Sequence, residues 1–298
     1  MRQQCFDYAV ITPARDEAVN LRRLLSCLAA QTVLPRVWII VDNASTDDTV
    51  AVAAELAHGR AWVRVATAPG ERRATRGAPI VRSFHAGLAL IDEPPEIVVK
   101  LDADVSMEPD YFERLLKEFQ ADESLGIASG QCYELEDGAW HPTHVTGGHV
   151  RGAARAYRWS CLCQLLPLEE QTGWDTIDEL QANVRGWTTR VVTDLRLNHH
   201  RAVGERDGKR ARRWLVQGAG AYYLGYRPSY LVLRSLHRAR RDPAALAMIL
   251  GFIRAAASRE PRHPDHVARA YLRAQQRLTK LPLRLREASG RVPTRRVV

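Results

Sequence analysis

The chain is short of several features that would have decided its class at once. No apolar stretch reaches the roughly 20 residues that a bilayer-spanning helix needs; the nearest, Ala244 to Ile253, falls well below it. No basic-then-apolar leader with a small-residue cleavage site precedes Tyr8, so no secretory route is expected. Cysteine is scarce and odd in number, with Cys5, Cys27, Cys132, Cys161 and Cys163 scattered along the chain. Cys161-Leu162-Cys163 has the wrong spacing for a CxxC metal or redox site. The expectation is reduced thiols in a cytoplasmic protein. No recognised nucleic-acid-reading motif accompanies the arginines, which argues against a nucleic-acid-binding module.

What is present is an uneven charge. The 298 residues carry a formal +9, yet from Arg227 onward 17 Lys or Arg face only 4 Asp or Glu. Residues 1–226 are therefore slightly acidic and the tail strongly basic. Such a shift marks a boundary, and the cationic surplus need have nothing to do with the substrate of the larger part.

Tyr8-Ala9-Val10-Ile11-Thr12 reads as a buried strand, followed by a helix from about Asn20 to Gln31 with Leu21, Leu24, Leu25 and Leu28 at helical spacing. Val37 to Val41, Trp62 to Ala66 and Ile97 to Leu101 read as further strands. Helices are expected over 47–57, Pro79 to Ile91 and Pro109 to Gln120. Strand and helix alternating at this spacing predict an α/β fold with a mostly parallel sheet and helices on both faces. Beyond Gln120 the pattern loosens, and Ala153 to Trp159 reads as an Arg- and aromatic-bearing helix.

The strongest candidate site is Ile97-Val98-Val99-Lys100-Leu101-Asp102-Ala103-Asp104. A buried strand ends there in two carboxylates flanking one small residue. In an extended conformation both point to one side, a geometry suited to a hard divalent cation. A pair of acids capping a turn before the next helix would look the same in isolation.

The runs Thr12-Pro13-Ala14-Arg15-Asp16-Glu17, Val41-Asp42-Asn43-Ala44-Ser45-Thr46-Asp47 and Leu101-Asp102-Ala103-Asp104 settle the comparison by their order and spacing. Together they resemble the family-2 glycosyltransferases of the GT-A fold. The resemblance covers about residues 8–226. It implies a GT-A-type domain over 1–226, with nucleotide-sugar binding at about 1–125 and acceptor binding at about 126–226. It also implies inverting transfer from a nucleotide diphosphate sugar, a UDP-sugar by default, with Mg2+ or Mn2+ as cofactor. The same resemblance suggests a role in cell-surface polysaccharide or glycolipid synthesis. Pro13, Ala14, Arg15 and Glu17 would wall the nucleotide pocket, and Asp42 and Asn43 would meet base or ribose. Asp102 and Ala103 would lie along the donor, and Asp102 and Asp104 would hold the metal. Arg76-Gly77 and Arg82 would lie near the diphosphate, while His85 stands where the family often has asparagine. A nucleotidyltransferase is the runner-up, but it calls for a glycine-rich loop that Pro13 to Glu17 does not contain.

By the same resemblance, Gly173-Trp174-Asp175-Thr176-Ile177-Asp178-Glu179 is similar to the acidic segment carrying the general base. Counting eleven positions back from Gly186 gives Asp175. Trp174 replaces the family's usual glutamate, so Asp178 and Glu179 remain rival catalytic candidates. An acid-rich helix start would also favour its own dipole. Gly147, Gly148, His149 and Arg151 form a polar stretch upstream. After an extended run from Val191, His199 matches a further metal ligand and His200-Arg201 follows. Tyr222 to Pro228 either closes over the diphosphate or ends an amphipathic helix. In the tail, 227–298, helices with Leu and Phe on one side are expected to carry Arg234, Arg238, Arg240, Arg241 and Arg254 on the other. This basic helical appendage suits peripheral contact with an anionic membrane at the inner face of the cell membrane, near a saccharide or lipid-linked acceptor. No nucleic-acid partner is expected.

Overall fold

A computed structural model describes residues 7–68, 77–136, 138–143, 149–200, 210–240 and 242–288. Arg76, Gly147, Gly148, Arg201 and Arg241 lie outside the described residues. The chain divides into two compact units, one within 1–201 and one within 202–292. The composition shift at Arg227 falls inside the second.

The first unit alternates β1 (Tyr8–Ala14), α1 (Ala18–Ala29), β2 (Val37–Asp42), α2 (Thr49–Ala57), β3 (Val63–Thr67), α3 (Ala78–Leu88) and β4 (Ile97–Leu101). It continues through β5 (Val105–Met107), α4 (Tyr111–Ala121), β6 (Leu125–Glu136), β7 (Ala139–Pro142), β8 (Ala154–Arg158), α5 (Trp159–Leu165), α6 (Trp174–Val184) and β9 (Thr188–His199). Among the described residues nine strands form one sheet in the order β3-β2-β1-β4-β8-β6-β9-β5, with β7 paired to β6. β3, β2, β1 and β4 are mutually parallel, and β8 runs antiparallel to both β4 and β6.

Both faces of this sheet are covered, which is why its first strands are apolar without alternation. Tyr8, Val10, Trp38, Ile40 and Val99 pack on one side with Leu21, Leu24, Phe112 and Phe119. Ala9, Ile11, Ile39 and Val98 pack on the other with Phe84, Leu162 and Trp174.

The expected helix at Ala153 to Trp159 is instead the strand β8. Ala154 and Ala156 face one core while Tyr157 faces the other, and Arg155, also fully buried, hid the period of two. The twelve-residue β6 was not anticipated either. Its pairing with β9 shifts register after Gly130, where Gly130 opposes Val192 but Gln131 opposes Arg196. At that bulge a side chain on Gly130 would collide with the Leu195 carbonyl and the Tyr111 ring.

The second unit holds α7 (Arg210–Tyr223), α8 (Pro228–Ala239), a 3-10 turn at Pro243–Leu246, α9 (Ala247–Ala257), α10 (His266–Gln275), a second 3-10 turn at Leu278–Lys280, and α11 (Leu281–Ala288). The Tyr222 to Pro228 segment is the end of α7 and its turn into α8. Trp214, Ala221, Leu231, Ala245 and Met248 form the core of this unit. No described helix is long and apolar enough to cross a membrane.

Candidate functional site

The parallel strands β1, β2 and β4 all end at one edge of the sheet, as their registers require. Open α/β sheets bind ligands at this edge. At the end of β4 the Asp102 amide donates to the Ala153 carbonyl at 2.8 Å. The chain then turns at Ala103 and Asp104, the small side chain of Ala103 being buried, and enters β5. The two carboxylates therefore meet across a turn, where an extended chain was expected.

The third member arrives through β9. Beyond the bulge at Gly130 its last residues pair with β5 on one side and β6 on the other, so His199 lies opposite both Val105 and Glu134. His199 Nε2 stands 3.3 Å from Asp104 Oδ1, and Nδ1 stands 4.0 Å from Glu134 Oε1. Ligand atoms of Asp102, Asp104 and His199 all lie within 4.8 Å of one another. Burial opposes a charge on the His199 ring, but Asp104, Glu134 and Asp102 outweigh it and push the imidazole up to about 9. Two carboxylates and an imidazole that attracts positive charge this strongly suit Mg2+ or Mn2+, a divalent cation taking the place of the proton. Glu134 is the carboxylate placed behind the ligating ring, the usual arrangement around a metal-bound histidine, and it is itself held by Arg151 at 2.7 Å.

The loops after β1 and β2, where the nucleotide wall was expected, lie side by side. Ala14 and Asp42 are register partners, and the Asn43 amide donates to the Ala14 carbonyl at 2.9 Å. Asp42 is buried and accepts from Ser45 Oγ at 2.5 Å. The Glu17 amide donates to Thr49 Oγ1 at 2.7 Å, and the Thr46 amide to Asp16 Oδ1 at 2.7 Å, which ties the loops after β1 and β2 together. Pro13 lies within β1, and Arg15 is half exposed at the loop's surface. Arg82 pairs with Glu170 at 3.1 Å. His85 has a structural contact, accepting the Leu168 amide at 3.1 Å, and burial lowers its basicity.

Helix α6 starts at Trp174, after Gly173 in the left-handed conformation at φ 84°. Its three acids have three different environments. Asp178 is buried and accepts from Arg155 Nε at 3.0 Å, Arg155 Nη2 at 2.6 Å and Tyr157 at 2.5 Å. Burial pushes its carboxyl up to about 6, with Arg155 opposing. Glu179 accepts the Val150 amide and meets His149 Nδ1, both at 3.0 Å. Asp175, with its side chain 26% exposed, lies against Gly152 in the first turn and faces His149 Nε2 at 3.7 Å.

Four charged residues at the site were given no role from the sequence: Lys100, Glu134, His149 and Arg155. Lys100 is fully buried, contacts Asp102 and donates to the Gly152 carbonyl at 2.7 Å. It thereby joins the metal-capable turn to the loop beside Asp175. Its signal was available, since a lysine interrupts an otherwise apolar strand two positions before an aspartate. The Trp174 ring centroid lies 5.7 Å from Lys100 Nζ and 6.0 Å from the Arg155 guanidinium, within cation–π range.

Solved structures share this architecture. The mannosyltransferase PcManGT from Pyrobaculum calidifontis, in complex with GDP-Man and Mn2+, is 17% identical with a TM-score of 0.56, over 98% of this chain and 85% of that one. S. aureus TarS is 16% identical with a TM-score of 0.53, over 72% of this chain; the match spans only 39% of TarS. Glucosyl-3-phosphoglycerate synthase from Mycobacterium tuberculosis, in complex with Mn2+, UDP and glucosyl-3-phosphoglycerate, is 18% identical with a TM-score of 0.50, over 68% of this chain and 75% of that one. At these identities the likeness is one of fold, the GT-A glycosyltransferase fold. No protein of curated function matches the sequence. The model of glycosyl transferase family 2 matches residues 9–172. That match covers more than half the chain and contains the three motif-bearing loops at the sheet edge, and on it the chain belongs to glycosyl transferase family 2.

Proposed function

We propose that this family-2 glycosyltransferase is metal-dependent and inverting, and moves a sugar from a nucleoside diphosphate sugar, UDP-linked by default, to an acceptor hydroxyl. The observation that carries the reading is the convergence of Asp102, Asp104 and His199 at the carboxyl edge of the sheet, with a separate, accessible acid on α6. Those three residues would hold Mg2+ or Mn2+, which when bound supplies countercharge to the diphosphate leaving group. Pro13, Ala14, Arg15 and Glu17 shape the wall beside the base, and Asp42 and Asn43 line its floor. Ala103 leaves room between the two acids. Arg82, paired with Glu170 in this structure, would serve the diphosphate.

Asp175 acts as the general base. The acceptor O–H bond breaks with its proton going to Asp175, while the acceptor oxygen bonds to the anomeric carbon. The bond from that carbon to the diphosphate breaks with its electron pair leaving on phosphate oxygen, and attack from the opposite face inverts the configuration. Asp178 and Glu179 are committed to Arg155, Tyr157, His149 and the Val150 amide, so in this reading they support the base.

A saccharide or lipid-linked acceptor at an anionic membrane surface, in cell-surface polysaccharide or glycolipid synthesis, completes the proposal. It is supported by the second unit, where Leu236, Leu250 and Ile253 are all more than half exposed on a strongly basic helical segment.

The test is thermal stabilisation by UDP, GDP, CDP and ADP, each with and without Mn2+. A nucleotide present at a hundred times its Kd adds about 2.7 kcal/mol, roughly 5–11 °C in a unit of this size. One nucleotide should stabilise in a Mn2+-dependent way, and Asp104→Asn should abolish that gain. A gain that survives Asp104→Asn unchanged would refute the metal assignment.

A further inference from the structure

His149 has no role in the reaction as written, yet it stands between two of the three acids of α6. Its Nδ1 meets Glu179 Oε2 at 3.0 Å and its Nε2 faces Asp175 Oδ2 at 3.7 Å. The ring is only 28% exposed. Glu179 is fixed from two further directions, by the Val150 amide at 3.0 Å and by Arg155 Nη2 at 3.8 Å. Arg155 Nη2 also holds the carbonyl of Asp175 at 2.8 Å, pinning the first turn of α6. The imidazole is therefore anchored on its Glu179 side, and its other nitrogen faces Asp175.

We propose that His149 is a positioning residue for the acceptor-side base: anchored by Glu179, its ring holds the Asp175 carboxylate aimed at the acceptor. This rests on the reading of Asp175 as the base. The charged groups facing the ring are Asp175 and Glu179 from α6 and Arg155 from β8, the last neutralised by Asp178. Burial works against a charged ring and Arg155 adds to that, but Glu179 and Asp175 outweigh both, and the His149 pKa is raised above 6.5. An imidazolium next to a carboxylate favours the carboxylate's charged form by as much as the carboxylate favours the imidazolium, because the coupling between two sites is reciprocal.

The reciprocity makes the inference testable before any acceptor is known. The full chain, labelled with 15N-histidine, is titrated by imidazole NMR, the His149 signal being assigned by its loss in His149→Gln. In the wild type His149 should titrate above 6.5, and Asp175→Asn, which keeps the shape of the side chain, should lower that midpoint by about one pH unit. With Mn2+ and a turned-over nucleotide sugar, kcat should fall by roughly tenfold or more in His149→Gln with KM little changed, and return in His149→Lys. An unchanged His149 midpoint in Asp175→Asn overturns the proposal, leaving the histidine as a partner of Glu179 alone. Full turnover by Asp175→Asn would instead refute the base assignment, an outcome that the titration cannot imitate.

Discussion

Arg155 is the residue on which the acceptor side of the site should depend most for stability, and replacing it with methionine should expose that dependence. The guanidinium is fully buried and donates to both oxygens of Asp178 and to the carbonyls of Val150 and Asp175. Methionine fills much of the volume but returns none of these contacts. Asp178 would be left as a buried carboxylate held by Tyr157 alone, and breaking one side of a buried ion pair costs about 3–5 kcal/mol. For a unit of some 200 residues that lowers Tm by roughly 6–20 °C. The pH dependence has a fixed sign. Asp178 titrates at about 6 in the fold against an ordinary 3.8, so the folded state already holds this proton more tightly than the unfolded chain, and stability from this group falls as pH rises through that interval. Removing Arg155 lifts the folded value further, so the loss should be larger at about pH 8, where Asp178 is forced to ionise or trap a proton, than at about pH 5. Urea unfolding followed by tryptophan fluorescence at both pH values measures it. Arg155→Met combined with Asp178→Asn should recover at least half the loss, because the stranded charge is gone while the Tyr157 bond remains. A single variant that costs less than about 1 kcal/mol at pH 8, the scale of an exposed pair, or that costs the same at both pH values, refutes this account of the ion pair.

Two further outcomes follow from the packing. Gly130→Ala would drive a methyl group toward the Leu195 carbonyl and to 2.8 Å from the Tyr111 ring, costing about 1–3 kcal/mol. Because the same bulge aims the end of β9 at Asp104, Mn2+ binding followed by electron paramagnetic resonance should weaken along with it, whereas an unchanged Mn2+ affinity would sever that link. Leu250→Glu with Ile253→Glu removes apolar surface and adds negative charge to α9, so sedimentation with phosphatidylglycerol vesicles should drop roughly tenfold or more. Equal sedimentation of both proteins, or none by the wild type, would refute the membrane contact.

The parallel half of the sheet was legible in the sequence because a strand covered on both faces has nothing to alternate. Val37 to Val41 is a continuous apolar run and Ile97 to Leu101 one broken only by Lys100, and the acids that end them, Asp42 and Asp102, fall where the sheet edge turns polar. β8 was not legible, since Arg155 occupies a position that a core-reading pattern reserves for an apolar residue. Its burial depends on Asp178, 23 positions later, and no local window contains both. Glu134 was hidden for the same reason: its relation to His199 comes from β6 and β9 lying side by side and from a bulge that depends on the absence of a side chain at Gly130. His199 was found from its place after an extended run, and the role of Lys100 emerges only once the Gly152 carbonyl is known to lie above it.

The three acids of α6 show how such long-range partners divide labour that spacing alone leaves open. Asp175, Asp178 and Glu179 sit at i, i+3 and i+4, so they share one broad face of the helix and any of them could serve as the base. Two of them are claimed by the fold. A buried guanidinium must have a carboxylate, and β8 places Arg155 where only Asp178 can answer it with both oxygens. The Val150 amide, on the loop entering β8, likewise needs an acceptor and takes Glu179. Asp175 is left with its side chain partly in solvent beside Gly152, whose lack of a side chain opens that flank. On the proposed function the base is then selected by subtraction: the buried cation and amide of the neighbouring strand and loop consume the other carboxylates, and the acid that remains would be the one to meet an acceptor hydroxyl.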